Sequence, residues 1–180
     1  MRELSLHILD IMQNSVVAGA KLIELTLTED TTEDILKFTI KDDGKGMPPE
    51  MVKSVIDPFT TSRSTRKVGL GIPLLKLAAE NTGGEIELSS EVGIGTVISA
   101  TFGYSHIDRQ PLGDMAETIL GTVTSYESID FVYSHIVNGK EFVFDTRQIR
   151  EILGGVSLKT PEVTLWLSEF LKENEAELYA

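Results

Sequence analysis

The stretch Asp42-Asp43-Gly44-Lys45-Gly46-Met47 follows directly on Ile35-Leu36-Lys37-Phe38-Thr39-Ile40, whose apolar and polar residues alternate as a half-buried strand requires. Taken alone, two acids and two glycines at a strand end read as a solvated turn. The residues around them point elsewhere. Leu4 to Ala18 carries Leu4, Ile8, Ile11 and Met12 at helical spacing, with Gly19 where a C-terminal cap belongs. Asp10, Asn14 and Ala18 fall four apart in that helix, hence on one face. Lys21 to Thr28 alternates Ile23, Leu25 and Leu27 against Leu22, Glu24 and Thr26, so the two alternating runs predict a β-hairpin.

Working outward, Pro48 to Ile56 reads as a short helix, and Phe59 to Val68 is a polar stretch without periodicity, expected to be a mobile loop. Gly69-Leu70-Gly71-Ile72-Pro73-Leu74 then opens a helical pattern that runs to Ala79 and stops at Gly83-Gly84. Glu85 to Ser90 and Thr96 to Gly103 read as strands joined at Gly93-Ile94-Gly95. After Gly103 the composition changes. Ser105 to Gly113 is a polar connector, Met115 to Ser125 a helix, and Ile129 to Ile136 with Glu141 to Phe144 flank Asn138-Gly139, a type I′ hairpin signal. Asp145 can cap a helix through Leu153, and Pro161 opens a last one to about Leu178. The expected organisation is an α+β domain over 1–104, followed by a small α-β-β-α-α appendage over 105–180.

Composition limits the function classes. With 41% apolar residues in 180, the chain has the makeup of a folded globular protein. The absence of cysteine removes disulfides, thiolate metal sites and cysteine nucleophiles. A formal charge of −12, with no clustered Lys and Arg, argues against a nucleic-acid partner. No apolar run approaches the ~20 residues of a membrane helix, and Met1-Arg2-Glu3-Leu4 lacks the apolar segment of a signal peptide, so a cytoplasmic protein is expected.

The helix with Asp10 and Asn14, the Asp42-to-Met47 loop, Gly69-Leu70-Gly71 and Gly93-Ile94-Gly95-Thr96 together resemble, in order and spacing, the four boxes of the ATPase family shared by DNA gyrase, histidine kinases, mismatch-repair proteins and a heat-shock chaperone. The resemblance runs from the first helix to Phe102. It implies a two-layer sandwich of a mixed four-stranded sheet and about three helices, with Mg·ATP as ligand. Asp42 would accept the adenine amine, a charged hydrogen bond that selects adenine over guanine. Gly44 and Gly46 would let backbone lie close to the base, and Thr96 would complete the adenine contact. Asn14 would offer Mg²⁺ a carbonyl oxygen, the remaining ligands being water and phosphate. Gly69, Leu70 and Gly71 would present a helix N-terminus to phosphate, with Arg63, Arg66 and Lys67 of the lid adding positive charge.

Within the family, Phe59-Thr60-Thr61 ahead of Gly69 resembles the histidine-kinase lid. Asn14-Ser15-Val16-Val17-Ala18 instead looks closer to the mismatch-repair form, with Val17 where kinases carry a base. Asp10 stands where hydrolysing and serine-phosphorylating relatives have a general-base Glu, one methylene longer. The resemblance therefore implies a stand-alone kinase-like domain phosphorylating a His or Ser/Thr on a partner protein. Its alternative is a module, or slow ATPase, whose nucleotide state controls a partner. The appendage would dock that partner or form a homodimer. His7 and His135 read as structural residues, and His106-Ile107-Asp108-Arg109-Gln110-Pro111 lacks the acid that follows an acceptor histidine.

Overall fold

In the computed structural model of the chain, residues 2–57 and 70–180 are described. Helix α1 (Leu4–Val17) buries Leu4, Ile8, Ile11 and Met12 as their spacing predicts, and Gly19, at a φ of 77°, ends it in the left-handed region. Its first free N–H groups do not face water. The connector after residue 105 returns to them, so that Pro111 and Leu112 carbonyls accept from Leu4 and Ser5 at 2.9 and 2.8 Å.

Strands β1 (Leu22–Asp30) and β2 (Ile35–Asp42) form the expected antiparallel hairpin, with Ile23 opposite Asp42 and Glu29 opposite Leu36. Leu36, Phe38 and Ile40 face inward, and the two-residue period makes Asp42 the next inward position. The same rule in β1 carries Ile23, Leu25 and Leu27 on to Glu29, which is only 4% exposed. Two carboxylates thus sit on the core face of one hairpin, at opposite ends. Helix α2 (Pro49–Ile56) follows β2, and α3 (Gly71–Glu80) precedes the hairpin of β3 (Glu85–Glu91) and β4 (Gly95–Gly103), which joins β2 through β4.

The remaining elements are α4 (Met115–Ser125), β5 (Asp130–Val137), β6 (Lys140–Asp145), α5 (Thr146–Leu153) and α6 (Pro161–Glu177). Asp114 and Asp145 cap α4 and α5 by accepting the Glu117 and Arg147 backbone N–H groups, each at 2.9 Å. Here the expected strand count needs correction. The sheet has six strands, in the order β3-β4-β2-β1-β5-β6, because β5 pairs in parallel with the free edge of β1 over Leu22–Glu29. Phe131, Tyr133, His135 and Val137 alternate inward on β5 and continue the buried face of β1, so leaving that edge bare would expose both a row of backbone groups and an apolar face. The buried apolar residues form one continuous core from α1 to α6. The opposite face of the sheet is more polar, with contacts such as Thr39 Oγ1 to Ser99 Oγ at 2.8 Å across β2 and β4. No helix among the described residues is long and apolar enough to cross a membrane.

Candidate functional site

A cavity of about 430 Å³ opens where α1, the end of β2 and the start of α3 meet. Its polar wall is α1, from which Asp10, Asn14 and Ser15 contribute, while Ile40, Leu88 and Ile98 of neighbouring strands supply an apolar wall. Asp42 lies between them, 8% exposed. Its Oδ2 accepts from Ser15 Oγ at 2.6 Å and its Oδ1 from the Gly44 N–H at 2.9 Å. Both oxygens retain lone-pair capacity, so the carboxylate is pinned yet can still accept from a ligand in the cavity. Asp43, the next residue, points away and accepts from the Lys21 and Leu22 N–H groups at 2.7 and 2.9 Å, closing the loop onto the start of β1.

The glycines divide by task. Gly46, with φ 71°, passes so close to β3 that a Cβ there would stand 2.0 Å from the Glu91 carbonyl oxygen. Gly71 begins α3 against Asp10, and an added Cβ would fall 1.8 Å from Asp10 Oδ2. The Asp10 carboxylate therefore packs against the first turn of α3. Gly44 is outside the cavity lining and packs under Ala18 at the end of α1. Leu70, 60% exposed, and Gly71 line the mouth. Thr96 pairs with Asp42 across the β2–β4 seam and lines the cavity. Asn14 is exposed on the wall, and Lys45 is the cationic residue lining the cavity among the described residues. Arg63, Arg66, Lys67 and Gly69 lie outside the described residues.

Three participants escaped the sequence reading. Ser15 is buried in α1, and a hydroxyl on a core-facing helix position needs a partner, which was the available signal. Ser90 accepts from the Met47 N–H at 2.8 Å and lies 2.8 Å from Thr96 Oγ1, a link spanning 43 residues in one direction and 6 in the other. Lys45, in the Asp42-to-Met47 loop, lines the cavity as well, and no local pattern in the sequence marks it. Among the described residues no group of three or more His, Cys, Asp or Glu could hold a metal ion.

The histidines separate clearly. His7 is buried and pairs Nε2 with Gln110 Oε1 at 3.0 Å, and burial lowers its pKa below the usual value. His106 Nδ1 accepts from the Asp108 N–H at 3.0 Å in the connector. His135 is more than an ordinary strand residue. It is fully buried between Glu29 Oε2 at 2.7 Å and Glu175 Oε2 at 2.6 Å, and Tyr179 also donates to Glu29. Burial works against the charged ring, but the hydrogen bonds to Glu175 and Glu29 outweigh it and push its pKa up to about 9.

The family model described as histidine kinase-, DNA gyrase B-, and HSP90-like ATPase matches residues 2–106, more than half of the chain. The chain belongs to this family. Among curated members, it is 30% identical to sporulation kinase C of Bacillus subtilis (strain 168) over 89 residues, 49% of this chain and 21% of that protein. It is 39% identical to the sensor protein SrrB of Staphylococcus aureus (strain NCTC 8325 / PS 47) over 79 residues, 41% of this chain and 13% of that one. The matches thus span about a fifth or less of those relatives' length. In structure, the N-terminal domain of a DNA repair protein superposes with a TM-score of 0.55 at 14% identity, covering 79% of this chain and 52% of that one. That coverage exceeds residues 2–106, so the likeness in fold reaches into the segment behind them.

Proposed function

We propose that the cavity binds Mg·ATP and that the protein uses it in signalling, as a kinase-like catalytic domain that transfers the γ-phosphoryl group to a His or Ser/Thr of a partner protein. The observation that carries this reading is Asp42: a buried carboxylate, pinned by Ser15 and Gly44 and still able to accept, at the end of an apolar-walled cavity in a chain of the histidine kinase-like ATPase family. The adenine amine donates to Asp42, and the base lies between Gly46 and the apolar wall, with Thr96 beside it. The ribose and phosphates extend toward Asn14 and the start of α3.

Asn14 suits Mg²⁺ because that ion keeps several waters and takes few protein oxygens; when bound, it supplies charge neutralisation at the phosphates. Gly71 begins α3, at the N-terminal end of the helix, where negative charge is favoured. Lys45, Arg63, Arg66 and Lys67 are the bases available to the polyphosphate. Asp10, packed against Gly71, orients water near the phosphates or accepts a proton from the attacking group. Residues 1–104 form the nucleotide-binding unit in this reading, and 105–180 extend its sheet and dock the partner or a second copy. The protein works in the cytoplasm.

A second reading rests on Val17, which lines the cavity 82% exposed at the position where kinases of this family carry a base. It makes the chain a nucleotide-controlled binding module with slow hydrolysis or none. The deciding experiment is incubation with Mg²⁺ and γ-labelled ATP, alone and with soluble extract of the source organism. Label on a protein that disappears with Asn14→Ala is the expected result and identifies a kinase. Absence of label despite measured ATP binding selects the module, and absence of any ATP binding overturns both.

A further inference from the structure

The sheet ends at β6, whose outer edge is a row of backbone groups. The Asn138-Gly139 turn has both residues at positive φ, and Val137 and Lys140 flank it as partners, so they are the first pair to exchange hydrogen bonds in the β5–β6 ladder. The exchange recurs at every second pair, His135 with Phe142 and Tyr133 with Phe144. Glu141 and Val143, between them, direct their N–H and C=O groups away from β5. Among the described residues no strand pairs with them on that side. Val143 is half exposed at the middle of this edge.

Above the inward face of the same edge, α6 is aromatic and acidic. Phe142 and Phe144 contact Phe170 at ring-centroid distances of 5.8 and 6.3 Å, and Phe170 stacks on Trp166 at 5.4 Å. At about 100° per residue around α6, Phe170 lies between Trp166 and the buried Leu167 and Leu171, so Trp166 turns past β6 toward the open edge, where it is 41% exposed. Glu162, Glu169 and Glu173 share that side of the helix and are exposed. The neighbouring bases are engaged or turned away. Lys140 donates to the Ala180 main-chain oxygen, Arg147 to Asp145 and Arg150 to Asp130, while Lys172 lines a hollow on the other side of α6, beside α4.

We propose that β6 is the docking edge for a partner protein, which adds an extended segment of alternating basic and apolar residues as a seventh strand. Its backbone pairs with Glu141 and Val143, its apolar residues lie against Val143, and its Lys or Arg residues reach Trp166 and the α6 carboxylates. A second copy of the chain is the poorer occupant: pairing β6 with its own image about a twofold axis sets the Glu162, Glu169 and Glu173 side of α6 against itself, acid facing acid. The proposal rests on the docking role given above to residues 105–180, and ATP binding measured in the same variants separates its failure from a failure of the nucleotide reading.

Trp166 is the single tryptophan of the chain and so reports on this edge. A capped peptide of four Lys-Val repeats, titrated into the full chain at low salt, should shift its emission saturably to shorter wavelength, and a peptide of four Glu-Val repeats should not. Val143→Pro removes the outward N–H where an edge strand tolerates proline, and should weaken the Lys-Val peptide about tenfold with ATP binding unchanged. Glu169→Lys combined with Glu173→Lys should weaken it by a similar factor. If Val143→Pro does not fold, Val143→Lys sets a like charge at the same half-exposed place, and wild-type peptide affinity in that variant overturns the proposal. So does the absence of peptide binding at millimolar concentration, equal binding of both peptides, or an affinity untouched by Val143→Pro. Light scattering that finds a dimer for wild type and a monomer for Val143→Pro gives the edge to a second copy and overturns it as well.

Discussion

Asp42 and Glu29 occupy equivalent places in adjacent strands: each is the inward position after three buried apolar residues, and they lie at opposite ends of the β1–β2 hairpin. Their surroundings are opposite. Glu29 is closed in by His135 and Tyr179, with Glu175 completing the cluster from α6. Asp42 is held by two neutral donors and faces a cavity. A buried carboxylate is costly unless satisfied. At the Glu29 end the protein satisfies it with an internal cation and so fastens the C-terminal helix to the sheet. At the Asp42 end it leaves acceptor capacity for a ligand. The same sequence device, a polar residue at a strand's inward position, yields a clamp in one place and part of a cavity wall in the other, depending on what the tertiary structure brings over it.

The comparison can be broken by separating stability from affinity. The largest effect is expected at the clamp: His135→Ala leaves the buried Glu29 and the partly buried Glu175 without their cation and should cost about 3–5 kcal/mol of folding stability in denaturant titrations, with ATP affinity of the folded fraction unchanged. A variant as stable as wild type would mean the cluster is not a clamp.

The pH dependence sharpens the same point. His135 is raised from 6.5 to about 9 in the folded chain, so its contribution is whole below 6.5, declines as pH rises from there, and is lost once pH passes about 9. Unfolding free energies from denaturant titrations at pH 6.5 and 9 should differ by on the order of 3 kcal/mol in wild type, and this difference should vanish in a His135→Gln chain.

The smaller effect belongs to the site. Asp42→Asn keeps an oxygen for Ser15 or Gly44 but loses the charge, and should weaken ATP by about 1.5–3 kcal/mol in titration calorimetry while the melting temperature without ligand moves little. Unchanged ATP affinity in that variant would place the adenine contact elsewhere.

Much of the fold was readable in the chain because its signals are local. Met115–Ser125 is bounded as its periodicity and its Asp114 cap require, and the Asn138-Gly139 turn has both residues at positive φ, 47° and 87°. The residues proposed for the nucleotide site were readable as motifs, since Asp10 and Asn14 share a helix face and Asp42 follows directly on an alternating strand. What escaped was non-local. Ser15 meets Asp42 across 27 residues, and His135 meets Glu29 across 106 and Glu175 across 40. No local pattern reports such a meeting, so His135 read as one more strand residue.

The sequence by itself determined the elements, their order, the family and the inward direction of Asp42, Glu29 and His135, because helix and strand periods act over a few residues. Only the tertiary structure decided that the second hairpin extends the sheet of the first. A hairpin's partner is set by its turn, whereas the parallel pairing of β5 with β1 depends on which distant strand continues the same buried face. That pairing brings His135 to Glu29, while Asp42, at the other end of the first hairpin, lines the cavity.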